Sequence, residues 1–321
     1  MTGTVMITGG LGYIGGRLAH HLAQTTSVSL RIGTRNLDTA LPSWVKRENL
    51  IRLDLMSDED LDSACRGTKC VIHLAALNEI DSAAEPERAL LVNGVGALRL
   101  LRAAERAGVE RFIYFSTAHV YGAPLAGTIT EQTLPRSVHP YAISHRVAED
   151  FVLAAHDRKA LVGVVLRLSN SLGAPVRPEV NRWTLLGNDL CRQAVVAKEL
   201  RLRSSGMQRR DFISLSDVGR AVMHFLDLPR VDCRDGLFNL GGGCSLRVIE
   251  LAERIAHRCG EVLGYVPGIV KPQAAADEID EPLLYKIDKL RATGFDLSGD
   301  LDYEIDATLR FCRSYFGGEA Q

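Results

Sequence analysis

The chain has 321 residues, enough for two domains of ordinary size or one large α/β unit carrying a lobe. Hydrophobic residues make up 46% and charged residues 24%, which excludes disordered, collagen-like and coiled-coil chains. Lys and Arg number 38 against 39 Asp and Glu, so no global field draws the chain to nucleic acid or an anionic membrane, and only a local anion site stays open.

At the N-terminus, Met1-Thr-Gly-Thr runs straight into Val5-Met-Ile-Thr. It lacks the basic region, apolar core and cleavage site of a secretory signal, and no apolar run reaches the length of a membrane span. A cytoplasmic protein is therefore expected, with no membrane or nucleic-acid partner. The seven cysteines form no Cys-x-x-Cys pair and have no His at zinc spacing, so reduced thiols and no metal site are expected. Short apolar runs at 5–7, 28–32, 50–53, 71–74, 112–115 and 162–168 alternate with helix-length stretches such as 15–23, 89–107 and 142–156. That alternation predicts a parallel sheet covered on both faces, doubly wound, with any ligand at the carboxyl ends of its strands.

After Gly173 the rhythm breaks into Pro175, Pro178 and a polar stretch to Arg182, then a helical pattern from about 183 to 200; here a second lobe begins. Ser245 is suited to cap a helix bearing Leu246, Ile249, Ala252 and Ile255, with Gly260 as its stop. Weaker patterns follow around 283–287 and 305–311. The expected division is a dinucleotide-binding domain over 1–172 and 207–236, and a smaller C-terminal α/β substrate lobe over 173–206 and 237–321.

The strongest local signal is Thr8-Gly9-Gly10-Leu11-Gly12-Tyr13-Ile14-Gly15, directly after the first strand and opening a helix. Gly9, Gly12 and Gly15 permit a tight turn, close approach of backbone N–H groups to a diphosphate, and close helix–strand packing, while Tyr13 and Ile14 begin the helix whose N-terminus favours the anion. This is the fingerprint of a Rossmann-type sheet. An NAD site normally ends its second strand in an acid that binds the adenosine ribose. Here the strand ends Leu30-Arg31-Ile32-Gly33-Thr34-Arg35-Asn36, with no acid before Asp38. Gly33 is expected to leave room there, and Arg35 is either a partner for a 2′-phosphate or a solvated loop residue, so the cofactor is NAD(P), leaning to NADP. Asp54, after the third strand, is a candidate partner for the adenine amino group.

Two further segments are Phe115-Ser116-Thr117-Ala118-His119-Val120-Tyr121-Gly122, ending a strand, and Tyr141-Ala-Ile-Ser-His145, starting a helix. With the glycine loop, and with Val71-Ile-His-Leu-Ala-Ala76, Val92-Asn93-Gly94, Arg167-Leu-Ser-Asn170, Arg210-Asp211-Phe212-Ile213 and Leu237-Phe-Asn-Leu-Gly241, they span nearly the whole chain. In order and spacing the sequence resembles the extended short-chain dehydrogenase/reductase family, the nucleotide-sugar epimerases and dehydratases of the UDP-galactose 4-epimerase type.

The resemblance implies that Tyr141 is the acid/base for a sugar hydroxyl, with Thr117 hydrogen-bonded to the same oxygen and His145 completing the catalytic set. A phenol is competent for that proton once its pKa is lowered. Besides the glycine loop, the resemblance implies cofactor contacts from Leu55, Leu74, Ala75, Ala76, Asn93, Ser116 and Leu168, together with Tyr141 and His145. Thr117, His119, Asn170 and Arg210 are implied on the substrate side. It also implies a homodimer formed by the helices from about 89 and 142, through positions such as Leu98, Leu101, Val147 and Phe151; packing on the chain's own sheet is the competing use of those residues.

Several positions depart from the family pattern. His145 stands where the family carries Lys, so less permanent positive charge acts on Tyr141. Ala118-His119 replaces the Asp-Glu pair of the 4,6-dehydratases, which disfavours that reaction. A second family arginine is missing from Asp277-Glu-Ile-Asp-Glu-Pro282, and Ser171 replaces a proline. The expected function is an NAD(P)-dependent epimerase or keto-reductase of carbohydrate biosynthesis, an isomerase or oxidoreductase moving hydride at a ring carbon of a nucleotide sugar. The alternative is a cofactor-binding regulatory or scaffold protein whose catalysis is lost with the lysine.

Overall fold

The computed structural model describes residues 3–275, 278 and 280–318. Seven parallel strands form the central sheet: β1 (Thr4–Thr8), β2 (Ser29–Thr34), β3 (Leu50–Arg52), β4 (Thr68–His73), β5 (Arg111–Thr117), β6 (Val162–Leu168) and β7 (Leu237–Leu240). Their order is β7-β6-β5-β4-β1-β2-β3, so the winding reverses between β1 and β4. The carboxyl ends at that reversal form the crevice where such sheets bind ligands.

Alternation along each strand builds two cores. Val5, Ile7, Ile72, Ile113 and Val164 face one side, where α1 (Tyr13–Thr25) supplies Leu18 and Leu22 and a returning helix, Leu215–Asp227, supplies Val218, Val222 and Phe225. Met6, Val71, Phe112, Tyr114 and Val165 face the other, under the helices Asp58–Cys65, Gly96–Arg106 and Pro140–Asp157. The expected 89–107 helix is present, but it begins at Pro86 and passes through a π-helical turn at Leu90–Val95 before Gly96–Arg106. All seven cysteines are free thiols, and only Cys244 is exposed. Among the described residues no helix is long and apolar enough to cross a membrane.

A third core joins Leu172, Trp183, Leu190 and Cys191 to the helices Val248–Leu263 and Leu301–Phe316. Beside it, Arg209–Ser214 pairs in parallel with Asn170–Leu172 and antiparallel with Ser245–Arg247.

This topology corrects three expectations. A boundary at 236 would cut off β7, which pairs along β6 in the main sheet. Ile287, Leu290 and Phe295 likewise pack into the main-sheet core. The strand was hard to see because it has only four residues and holds buried Asn239, whose Oδ1 accepts the hydroxyls of Tyr121 and Tyr285. Ser245 caps no helix: it lies in a strand, and the helix starts at Val248 behind Arg247, whose backbone N–H donates to Glu250. Nor does Gly260 stop it; Gly264, at φ 82°, does.

Candidate functional site

The glycine loop shapes one end of the crevice. Gly9 has φ +66°, and a Cβ there would lie 3.1 Å from the Ala75 nitrogen, so the turn needs glycine on both counts. At Gly15 a Cβ would stand 2.3 Å from the Gly9 carbonyl oxygen, which sets how closely α1 starts against the loop. Gly12 differs: a Cβ there would meet only the Gly9 oxygen, at 3.1 Å, and otherwise face open space. Gly12 is also the N-cap of α1 and offers no side-chain cap, leaving the first N–H groups of the helix to a ligand. Ile14 packs on the sheet core, and Tyr13 is buried with its hydroxyl directed to the Ser171 carbonyl at 3.5 Å. Its side chain is thus a brace toward the second lobe.

Thr8 ties this loop to the next strand end. Its Oγ1 accepts the N–H groups of Leu74 and Ala75, each at 3.1 Å, and lies 2.6 Å from Nδ1 of His73. Ala76, the next residue, is exposed. Past β2, Arg35 is exposed with no ion pair among the described residues. Gly33 does not open a space for cofactor, as its sequence position suggested: a Cβ there would lie 2.5 Å from the Leu53 side chain, so the glycine serves packing. Asp54 caps the following turn, its Oδ1 accepting the Met56 N–H at 2.9 Å, and Leu55 is buried against Gly96.

Side chains build the other end. The Pro140–Asp157 helix starts with Pro at its first position and His139 as N-cap, whose Nδ1 accepts the Tyr141 N–H at 3.2 Å. Tyr141 is half-buried, and its hydroxyl makes no hydrogen bond among the described residues. Burial raises its pKa to about 12, with the nearby Glu79 carboxylate adding to the rise and Arg182 opposing it. One turn on, the His145 ring packs edge-on against Tyr141 at 4.5 Å between centroids. His145 is 4% exposed; its Nδ1 lies 2.7 Å from the Tyr114 hydroxyl, and its Nε2 has no hydrogen-bond partner among the described residues. Burial lowers its pKa to about 4, partly offset by the Phe115 backbone. At neutral pH it is uncharged.

Thr117 ends β5 and caps the short turn Ala118–Tyr121, accepting the His119 N–H at 3.2 Å. Ser116 beside it is buried, and its hydroxyl has no hydrogen-bond partner among the described residues. Leu168 is buried at the end of β6. Asn93, expected to touch cofactor, is instead consumed internally: Oδ1 accepts the Leu77 N–H at 2.7 Å, while Nδ2 donates to the Leu77 carbonyl at 3.3 Å and to Ser144 at 3.0 Å. It fastens the loop after β4 to the Tyr141 helix.

His119 is exposed, and its pKa is lowered by desolvation and by the Arg210 charge, with Glu79 opposing. Arg210 is a half-buried cation with no ion pair among the described residues, and its desolvation works against the charge. Its neighbour Arg209 is fully engaged, bidentate to Asp280 at 2.7 and 2.8 Å. Asn170 donates to the Asp211 carbonyl at 3.0 Å. Within the segment lacking the family arginine, Glu278 accepts the Ser205 hydroxyl, while Asp277 and Ile279 lie outside the described residues.

Sequence reasoning missed Tyr114, Glu79 and Arg182. Tyr114 reads as one more apolar strand residue, and the Arg182–Glu79 ion pair, 3.1 Å long, joins positions 103 residues apart. The polar stretch that breaks the rhythm after Gly173 is a strap from 174 to 182. Val176 lies against Gly16, Arg177 donates to the carbonyls of Ala40 and Leu11, and Arg182 closes the strap onto Glu79.

A nicotinamide dinucleotide fits these groups. The open face of Gly12 and the uncapped α1 suit a diphosphate, and the orphaned, buried Nε2 of His145 and Oγ of Ser116 are polar atoms that need a partner.

Comparison with known proteins agrees. A UDP-glucose 4-epimerase of Azospirillum brasilense is 30% identical over 309 residues, 87% of this chain and 86% of that protein. A dTDP-glucose 4,6-dehydratase of Streptomyces niveus is 27% identical over 279 residues, 82% and 80% of the two chains. Among solved structures, a UDP-N-acetylglucosamine 4-epimerase from Methanobrevibacter ruminantium M1, in complex with UDP-N-acetylmuramic acid, superposes with a TM-score of 0.79 at 25% identity, covering 98% of this chain and 99% of that one. The profile of the NAD dependent epimerase/dehydratase family matches residues 5–241, so the strand–loop–helix opening, the Tyr141 helix and the late strand β7 all fall within it, and the chain belongs to that family.

Proposed function

We propose that the chain is an epimerase or keto-reductase that moves hydride at a ring carbon of a nucleotide sugar. One observation carries this reading: the Tyr141 hydroxyl and the half-buried Arg210 cation both lack a partner among the described residues. A sugar linked to a diphosphate has a hydroxyl for the first and an anion for the second.

In this reading Arg210 holds the diphosphate, with Asn170 nearby, and Thr117 and Tyr141 receive the reacting oxygen. An oxidised nicotinamide, if bound here, would supply the hydride acceptor and a positive charge favouring the phenolate. With its raised pKa, Tyr141 is protonated in the free protein and ready to give a proton to a ketone oxygen; to take one from a hydroxyl, its pKa must fall on binding. Ala118 and His119 supply no acid pair for eliminating water, which speaks against a 4,6-dehydratase. The strap over 174–182 reaches the glycine loop through Arg177 and Glu79 through Arg182, which we read as favouring a retained cofactor, hence epimerisation. We favour NADP on Arg35 and the absence of an acid after β2. The Rossmann half then serves the cofactor and the third core the sugar nucleotide. A homodimer is proposed on Leu91, Val95, Ile143 and Phe151, exposed on neighbouring helices; Leu101, 2% exposed, belongs to the internal core instead.

The test is turnover with a panel of UDP and dTDP sugars, beside mass spectrometry of the protein as purified. Arg210→Ala is expected to raise KM about tenfold or more, while Arg209→Ala, which removes a partner of Asp280, changes it little. The absence of turnover with every sugar would return the scaffold alternative.

A further inference from the structure

Tyr114 stands on the face of β5 that the Pro140–Asp157 helix covers, 2% exposed, and its hydroxyl has one partner, Nδ1 of His145 at 2.7 Å. Which way that hydrogen points follows from counting unmet groups. If Nδ1 carried the proton and donated to the phenol oxygen, the phenol O–H and the bare Nε2 would both be buried without partners. If the phenol donates to a bare Nδ1, only the Nε2–H remains without a well-formed bond, the Phe115 backbone being the ring's other polar neighbour. The second arrangement leaves one unmet buried group fewer and is therefore the stable one. The same logic orients His73, where Thr8 Oγ1 already accepts two backbone N–H groups and must give its own hydrogen to Nδ1. Both imidazoles then carry their proton on Nε2.

We propose that Tyr114 is a positioning residue that locks His145 as a neutral Nε2–H donor, and that this N–H is held for an acceptor oxygen of the bound dinucleotide. The proposal rests on the reading of the crevice as a dinucleotide site. It replaces a permanent cation with an aimed neutral dipole, and it gives the orphaned Nε2 its partner. His145 cannot rotate to offer the other nitrogen without leaving the Tyr114 hydroxyl unmet.

The experiment is nitrogen-15 NMR of histidine-labelled protein, the His145 signals being assigned by their loss in His145→Gln. The expected pattern is a bare Nδ1 and a protonated Nε2 in the unmutated protein, passing to a mixture of tautomers in Tyr114→Phe. Calorimetry with NADH and NADPH should show about fivefold weaker binding in Tyr114→Phe, and no further loss when Tyr114→Phe is added to His145→Gln. A protonated Nδ1 in the unmutated protein, or equal losses in both backgrounds, overturns the proposal. If neither dinucleotide binds the unmutated protein, the reading of the crevice falls and takes the donor's target with it. Normal affinity that ignores Tyr114→Phe removes this inference alone.

Discussion

At the glycine-loop end of the crevice the groups offered to a ligand are backbone N–H groups, placed by eight consecutive residues and by the space left where side chains are missing. At the tyrosine end they are side chains gathered from distant elements. Tyr114 comes from β5, Tyr141 and His145 from one helix, Glu79 from the short helix Glu79–Ala84 after β4 and Arg182 from the strap. At the first end Gly9 and Gly15 tolerate no added atom, and the space at Gly12 is left for a ligand. The second depends on which protons its buried groups carry. Shape and ionisation are thus separated along one cleft, and each end should fail in its own way.

The largest effect is expected from filling the first end. Gly12→Val places a branched side chain where only the Gly9 oxygen now stands within 4 Å, so dinucleotide binding should vanish from calorimetry while circular dichroism stays native. Unchanged affinity would break the comparison at its root. Next comes Tyr141→Phe, which alters chemistry and not shape: cofactor affinity should hold, and turnover should drop on the order of 10²-fold or more.

An acid titration sharpens the contrast from the other side. His145 and His73 have pKa values lowered by burial, to about 4 and about 3. Between those values and the unfolded value near 6.5, the unfolded chain binds protons that the folded chain refuses, so stability rises with pH there and is lost as pH falls. Each group contributes a slope of up to about 1.4 kcal/mol per pH unit. Denaturant unfolding at pH 6.5 and 4.5 should show a smaller acid loss in His145→Gln than in the unmutated protein; an identical loss would mean the ring already takes up a proton in the fold. The smallest effect belongs to exposed Arg35. Arg35→Ala should reduce a preference for NADPH over NADH by about fivefold at most, since a solvated pair is worth roughly 1 kcal/mol.

The same contrast explains what the sequence made legible. A glycine loop is a local code, because the φ of Gly9 and the clearance at Gly15 are set within a few residues of one another. Tyr141, His145, Thr117 and Arg210 could be picked out through their motifs. Their surroundings could not, since the partner of His145 lies 31 residues away in an apolar strand and the ion pair beside Tyr141 spans 103. Asn93 marks the limit from the other direction: its position was readable, but not that each of its amide groups is already taken. Strand β7 escaped for a plainer reason, being four residues long with an asparagine among them.

That strand also bears on how the protein is made. β6 is complete at Leu168, yet its free edge waits for Leu237–Leu240, and the helix covering that flank spans Leu215–Asp227. Arg111 of β5 donates to the carbonyls of Phe225 and Leu228, and His156 Nε2 meets the Arg234 carbonyl, so the flank is sealed by residues some 70 to 120 positions downstream. During synthesis the first 200 residues therefore emerge as a sheet with an unpaired apolar border, open to other strands until the ribosome has delivered the segment up to Leu240. A nascent chain halted before β7 should depend on chaperones, and one halted just beyond it should not.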